Sequence, residues 1–233
     1  KGPIMGSCSN KIKPLNNKIM AITAKSGGST QREIVPSGNY IARCFQMLHI
    51  GTYEDEYLGE PKIVNKVRIS WELPTETRVF NEDKGEQPMV IDKEYTLSLN
   101  DKANLTTDLS NWRGKAFTDK EKISFDILNL LGKTCMLNII HKTTATGRDY
   151  ARVGGIAPVP KGVPVPDQIN PTSIFDYDEN FDMDRVEKLP DFIKDKIKSS
   201  SEYTERRMEL EQVDIVAQVS VAEDKEESSE LPF

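Results

Sequence analysis

Arg148, Tyr150 and Arg152 alternate in the stretch "RDYAR", and side chains two apart in extended backbone share a face. Two guanidiniums flanking one ring suit a phosphate chain whose bases are free to stack. The same mixture recurs as Tyr40-Arg43-Phe45, Lys66-Arg68-Trp71 and Trp112-Arg113-Lys115-Phe117, with Lys142 shortly before the first trio. Binding a single nucleic-acid strand without reading its sequence needs a cationic groove and aromatic platforms. The candidate phosphate contacts are therefore Arg43, Lys66, Arg68, Arg113, Lys115, Lys142, Arg148 and Arg152, and the candidate stacking residues are Tyr40, Trp71, Trp112 and Tyr150. Trp71 also follows the apolar phase of its strand and Trp112 that of its helix, so core packing competes for both.

Other chemistries find little support. "LLGKT" resembles the end of a phosphate-binding loop, but Ile127 stands where that pattern needs glycine, and a helix stop explains it. Cys44 with His49 and Cys135 with His141 have no compact zinc spacing. The three cysteines form no close pairs, which suits a reducing compartment. Neither histidine sits in a nucleophile-elbow or zinc-protease context. No catalytic group, metal or cofactor is expected.

The elements that must position these residues read as strands first. "NYIARCFQMLHIG" alternates and should end in a polar turn, "TYEDEYLGEP". "KIVNKVRISWEL" turns Ile63, Asn65, Val67, Ile69 and Trp71 one way and Lys66 and Arg68 the other, and Pro74 should stop it. A loop or hairpin tip follows, then "MVIDKEYTLSL". The period then becomes helical: Asn100 or Asp101 as cap, Leu105, Leu109 and Trp112 on one face, Gly114 as stop. A second helix opens on a Thr118–Glu121 capping box and carries Ile123, Ile127, Leu128 and Leu131 up to Gly132. "KTCMLNIIHKT" and "RDYARVGGIAP" make a final hairpin around "TATG". The expected fold is mainly β with inserted helices: an OB-fold-like five-stranded barrel over 36–158, with its helical insertion between strands 3 and 4. Another small α+β arrangement is compatible with the same order.

Charge divides the chain further. Residues 1–19 carry net +4, 20–160 are balanced, and 161–233 carry net −10. We expect 1–35 to be a disordered leader, 159–172 a proline-rich linker, 173–204 an acidic segment with a short helix from "LPDFIKDKI", and 205–233 a disordered acidic tail. No run is long and apolar enough for a membrane span, and the basic start lacks a signal peptide's apolar stretch. A cytoplasmic protein with no membrane partner is expected. In "SSELPF" an apolar tip follows a polar acidic run. Such a tip fits a partner's apolar pocket, with Glu230, Leu231, Pro232 and Phe233 as the partner-binding residues. The tail's carboxylates can also occupy a cationic groove until nucleic acid displaces them.

The segment "EDKEESSELPF" is similar to the ends of bacterial and phage single-stranded DNA-binding proteins, at Glu223, Asp224, Glu226, Glu227, Glu230, Leu231, Pro232 and Phe233. "PSGNYIARC", "VRISWELP", "KEYTLSLNDKANLTTDLSNWRGKAF" and "LPDFIKDKIKSSSEY" look like a tailed-phage replication protein of that type. The resemblance implies an OB-fold, sequence-neutral binding of single-stranded DNA in replication and recombination, and a tail that contacts a polymerase, helicase or primase in the host cytoplasm. Self-association is left open. Two other classes remain: a virion or scaffold assembly protein without DNA binding, and a metal-dependent nuclease built from scattered carboxylates.

Overall fold

The computed structural model describes residues 33–212 apart from Leu58. Contacts set the chain from Ile34 onward apart as one unit, and that unit is described here. The expected leader up to residue 32 and the tip residues Glu230, Leu231, Pro232 and Phe233 lie outside the described residues.

Two long strands, β1 (Gly38–Tyr57) and β2 (Glu60–Asn81), form a hairpin. After a short 3-10 turn come β3 (Gly85–Thr96), α1 (Asn104–Arg113) and α2 (Asp119–Ile123). A 3-10 turn over Ile127–Leu130 leads to β4 (Thr134–Thr143) and β5 (Asp149–Ala157). The chain continues through β6 (Ser173–Phe175), α3 (Met183–Glu187) and α4 (Asp191–Lys198), and is helical again from 201 to 212. Five strands pair antiparallel in the order β3-β2-β1-β4-β5 and curl into a half-barrel, with the edge strands β3 and β5 drawn together. β1 makes this possible by changing partner: Gly38–Arg43 pairs with β4, and from Arg43 onward it pairs with β2.

The barrel interior is apolar, built from Val67, Ile69, Trp71 and Leu73 of β2 facing Leu137 and Val153. α1 lays Leu105, Leu109 and Trp112 over it, the face expected from their spacing. A bulge between Cys44 and Gln46 shifts the phase of β1, so Ala42, Cys44 and Met47 all reach this core. Gly114 ends α1 with φ 68°, a left-handed turn that glycine adopts without a Cβ clash.

Several expected boundaries move. The polar stretch after Gly51 is strand rather than turn, paired out to Tyr57 and Glu60, because Tyr53 and Val64 there are buried in a second core. β2 does not stop at Pro74. Its pairing with β3 skips from Leu73 to Thr77, and a proline tolerates an irregularity where no ladder bond is required of it. Ile63 is 66% exposed although Val67 and Trp71 share its parity, since at that point the hairpin has left the barrel and its other face is the covered one. The cap of α1 is Ala103, which offers no side-chain bond; Asn100 instead accepts from the Lys102 amide at 3.2 Å. The Thr118–Glu121 capping box is present, but the helix it opens ends at Ile123, and Asp126 starts a separate 3-10 turn by accepting from Leu128 N.

A second layer covers the outer face of the β1–β2 hairpin. Residues 158–172 follow irregular backbone and are tied down at buried Glu72, whose carboxylate accepts from Ile169 N, Asn170 N and Asn170 Nδ2, each at 2.7 Å. β6 then pairs parallel with β1 at Gln46–Leu48. Leu48, Ile50 and Val64 pack against Phe175, Val186 and Ile197. The layer closes on Gly51, where an added Cβ would lie 2.7 Å from Ser200 Cβ. Residues 205–212, expected in the disordered tail, are helical. Among the described residues no helix is long and apolar enough to cross a membrane.

Candidate nucleic-acid interface

The eight candidate cations fall into two groups. Arg43 donates through Nε to Pro166 O at 2.7 Å and through Nη1 to Gly132 O at 3.1 Å, so it fastens the 158–172 segment, a strap over the sheet, rather than facing solvent. Lys66 is paired with Asp55 beside the Tyr53 ring. Arg68 is held by Asp92 at 2.6 Å and Glu94 at 3.0 Å, with Phe192 over its guanidinium. Arg113 pairs with Glu121 and stacks 4.2 Å from the Phe117 ring centre. Those four are neutralised by carboxylates or spent on backbone carbonyls. Lys115 is exposed at the far end of β5 near Ala157 and is 3.7 Å from Glu121. Lys142, Arg148 and Arg152 are exposed and make no side-chain hydrogen bond or ion pair with the described residues.

The aromatic candidates separate in the same way. Trp71 is fully buried, 5.9 Å from Trp112 between ring centres, and Trp112 donates Nε1–H to Thr134 O at 2.8 Å. Both tryptophans are core residues, and the expectation that they stack on bases is corrected: burial leaves no ring face to offer. Tyr40 is half-buried and donates to Pro36 O at 3.1 Å. Burial and then the Glu76 carboxylate raise its hydroxyl pKa, with Arg78 opposing them. Tyr150 is 41% exposed.

What the fold assembles is therefore one cationic face on the β4–β5 hairpin. Lys142 lies directly opposite Tyr150, and Ile140 opposite Arg152, and such pairs sit about 5 Å apart on one face. Arg148 leads out of a turn closed by its own amide donating to Thr144 Oγ1 at 3.0 Å and by Thr144 N donating to Arg148 O at 2.9 Å. Asp149, the single acid in 134–157, accepts from the Thr143 hydroxyl at 2.6 Å. Two residues further along, the exposed amide of Asn138 donates to Asn39 Oδ1 at 2.9 Å. Beside them Gly154 is the bulged residue of β5, and a Cβ there would meet Asn138 Oδ1 at 3.0 Å. Asn39, Asn138 and Gly154 add polar groups and no large side chain to this face. The signal in the sequence was the Gly154-Gly155 pair inside a strand, a mark of a bulge or close approach.

Other motifs settle into structural roles. Cys44 and Cys135 are free and buried, and burial pushes the Cys44 thiol up to about 12. His49 Nε2 bonds Asn65 Oδ1 and His141 Nε2 bonds Val35 O, each at 2.8 Å. Gly132 of "LLGKT" donates its amide to Cys44 O at 2.7 Å, as a turn into β4. Among the described residues no group of three or more His, Cys, Asp or Glu side chains is placed to hold a metal ion. The chain matches no protein-family model and no curated protein.

Proposed function

We propose that the chain binds single-stranded DNA without reading its sequence, with the β4–β5 hairpin as the binding surface. The observation that carries this is the set of three cations, Lys142, Arg148 and Arg152, left without carboxylate partners among the described residues around the exposed ring of Tyr150. The strand order, with helices between β3 and β4 and approaching edge strands, is also compatible with an OB-like barrel. In that fold the β4–β5 loop is one of the usual binding elements. The chain's own strap and α4 cover much of the outer face of β2, through Glu72 and Arg68. Among the described residues the hairpin is thus a cationic surface that stays open. In this reading the acidic tail competes weakly for the same surface. Its tip (Glu230, Leu231, Pro232 and Phe233) recruits a replication protein, as in a phage replication system.

Both tryptophans being buried, binding is best followed by the anisotropy of a labelled oligo(dT) rather than by protein fluorescence. We expect affinity to fall as salt rises, with a log–log slope of roughly −2 to −3 for three or four phosphate contacts. Arg148→Ala and Arg152→Ala should each flatten that slope by about 0.7. Tyr150→Ala should weaken binding by about 1–3 kcal/mol through lost stacking. A flat titration at low salt would overturn the reading and favour an assembly role; loss of intact oligonucleotide with divalent metal would favour a nuclease.

A further inference from the structure

The connector between β3 and β4 carries an apolar stripe that the barrel uses only in part: Ile127 and Leu131 pack against its core, while Ile123 and Leu128 do not. Ile123, Ile127, Leu128 and Leu131 have the spacing of one helix face, yet the helix stops at Ile123 and the chain resumes only as a 3-10 turn. Ile123 is left 85% exposed, and Leu97 and Leu128 are each 37% exposed. All three border a cavity of about 470 Å³ whose buried lining includes Met47, Val67, Leu105 and Phe175. A local pattern at odds with the global fold is characteristic of a functional surface, and clustered exposed apolar side chains mark interaction sites.

The same cavity is lined by Asp126, Asp176 and Asp178. Burial alone would raise Asp176, but the amides of Asn180 and Asp178 and the Asn180 side chain hold its carboxyl below the usual range. Asp178 makes no side-chain hydrogen bond or ion pair with the described residues. The one lysine, Lys122, is already committed to Asp101 at 2.6 Å. The lining is thus apolar and anionic.

We infer that this cavity is a docking groove for a cationic amphipathic helix of a partner protein. Its apolar side chains enter between Leu97, Ile123 and Leu128, and its lysines or arginines meet Asp126, Asp176 and Asp178. The chain's own tail is the wrong occupant, since residues 213–233 carry net −5. The inference is independent of the β4–β5 surface.

The test uses the full chain and two labelled helical peptides of about 15 residues, one of leucine and lysine and one of leucine and glutamate. Anisotropy should report binding of the first and not the second. Ile123→Asp should weaken the leucine–lysine peptide at least about tenfold, roughly 1.4 kcal/mol. That substitution adds negative charge, so simple attraction to the acidic tail would be unchanged or strengthened by it. Asp178→Asn should weaken binding several-fold and reduce its salt dependence. The inference is overturned if the wild-type chain ignores the leucine–lysine peptide, if it binds both peptides equally, or if Ile123→Asp binds as tightly as wild type. It is equally overturned if Ile123→Asp instead abolishes self-association in size-exclusion chromatography, which would make a second copy the occupant.

Discussion

Arg113 and Arg152 carry the same guanidinium and end in opposite surroundings. Arg113 is clamped between Glu121 and the Phe117 ring, whereas Arg152 stands exposed on β5. Residue type and neighbouring aromatics, legible in the sequence, were the same for both; a carboxylate partner eight residues away across a helix start was not. Trp71 shows the same limit, since an aromatic beside two cations reads alike as a platform or as core until burial is known. Glu121 allows a test at this scale. The Thr118 backbone amide, then Arg113 and the Thr118 hydroxyl, pull its carboxyl from the ordinary 4.5 to about 2. A carboxylate with a depressed folded pKa stabilises the fold above its unfolded pKa and loses that contribution as pH falls through the folded value. Wild type should therefore be more stable than Glu121→Gln at neutral pH, with the gap closing between about pH 4.5 and 2 in urea unfolding at stepped pH. A gap that persists at pH 2 would contradict this assignment.

Elements were legible where the period was sustained and misplaced where tertiary contacts overrode it. The barrel strands and the buried face of α1 follow alternation or helical spacing in their own segments, apart from bulges and irregularities in β1, β2 and β5. The ends of β1 and β2 do not, because Tyr53 and Val64 extend the hairpin only by packing under the C-terminal layer. The second helix ends at Ile123, and beyond its Ser124 cap Phe125 meets Phe117 edge-on at 4.9 Å between ring centres. The two layers meet closely at Gly51, whose φ is 94° and whose missing Cβ leaves room for Ser200 and the Tyr177 hydroxyl. Gly51→Ala should destabilise the fold by about 1–3 kcal/mol through overpacking. Hydrogen exchange should show the loss concentrated in β6, α4 and the 201–212 helix. Unchanged protection there would mean the layer does not depend on this close approach.

Across the whole molecule, charge segregation is the property the sequence shows most directly, and the acidic residues at 213–233 belong to no described element. If they compete with DNA, a chain ending after residue 212 should bind oligo(dT) more tightly than the full chain at low salt. The difference should fade near 1 M salt, where the Debye length falls to about 3 Å. Equal affinities at low salt would confine the tail to partner recruitment. The sequence by itself determined the number and order of the barrel strands, the helical insertion and the alternation that puts Arg148, Tyr150 and Arg152 on one face, because these depend on residues close in the chain. Only the tertiary structure decided which cations are neutralised, that both tryptophans are core, and that the 166–204 region is a second layer on β1 and β2. The neutralising carboxylates lie eight to about twenty-five residues away, and the second layer rests on pairings such as Glu72 with Asn170 and Thr52 with Glu202, about a hundred residues or more apart. Local periodicity carries no information about which distant carboxylate or amide will arrive.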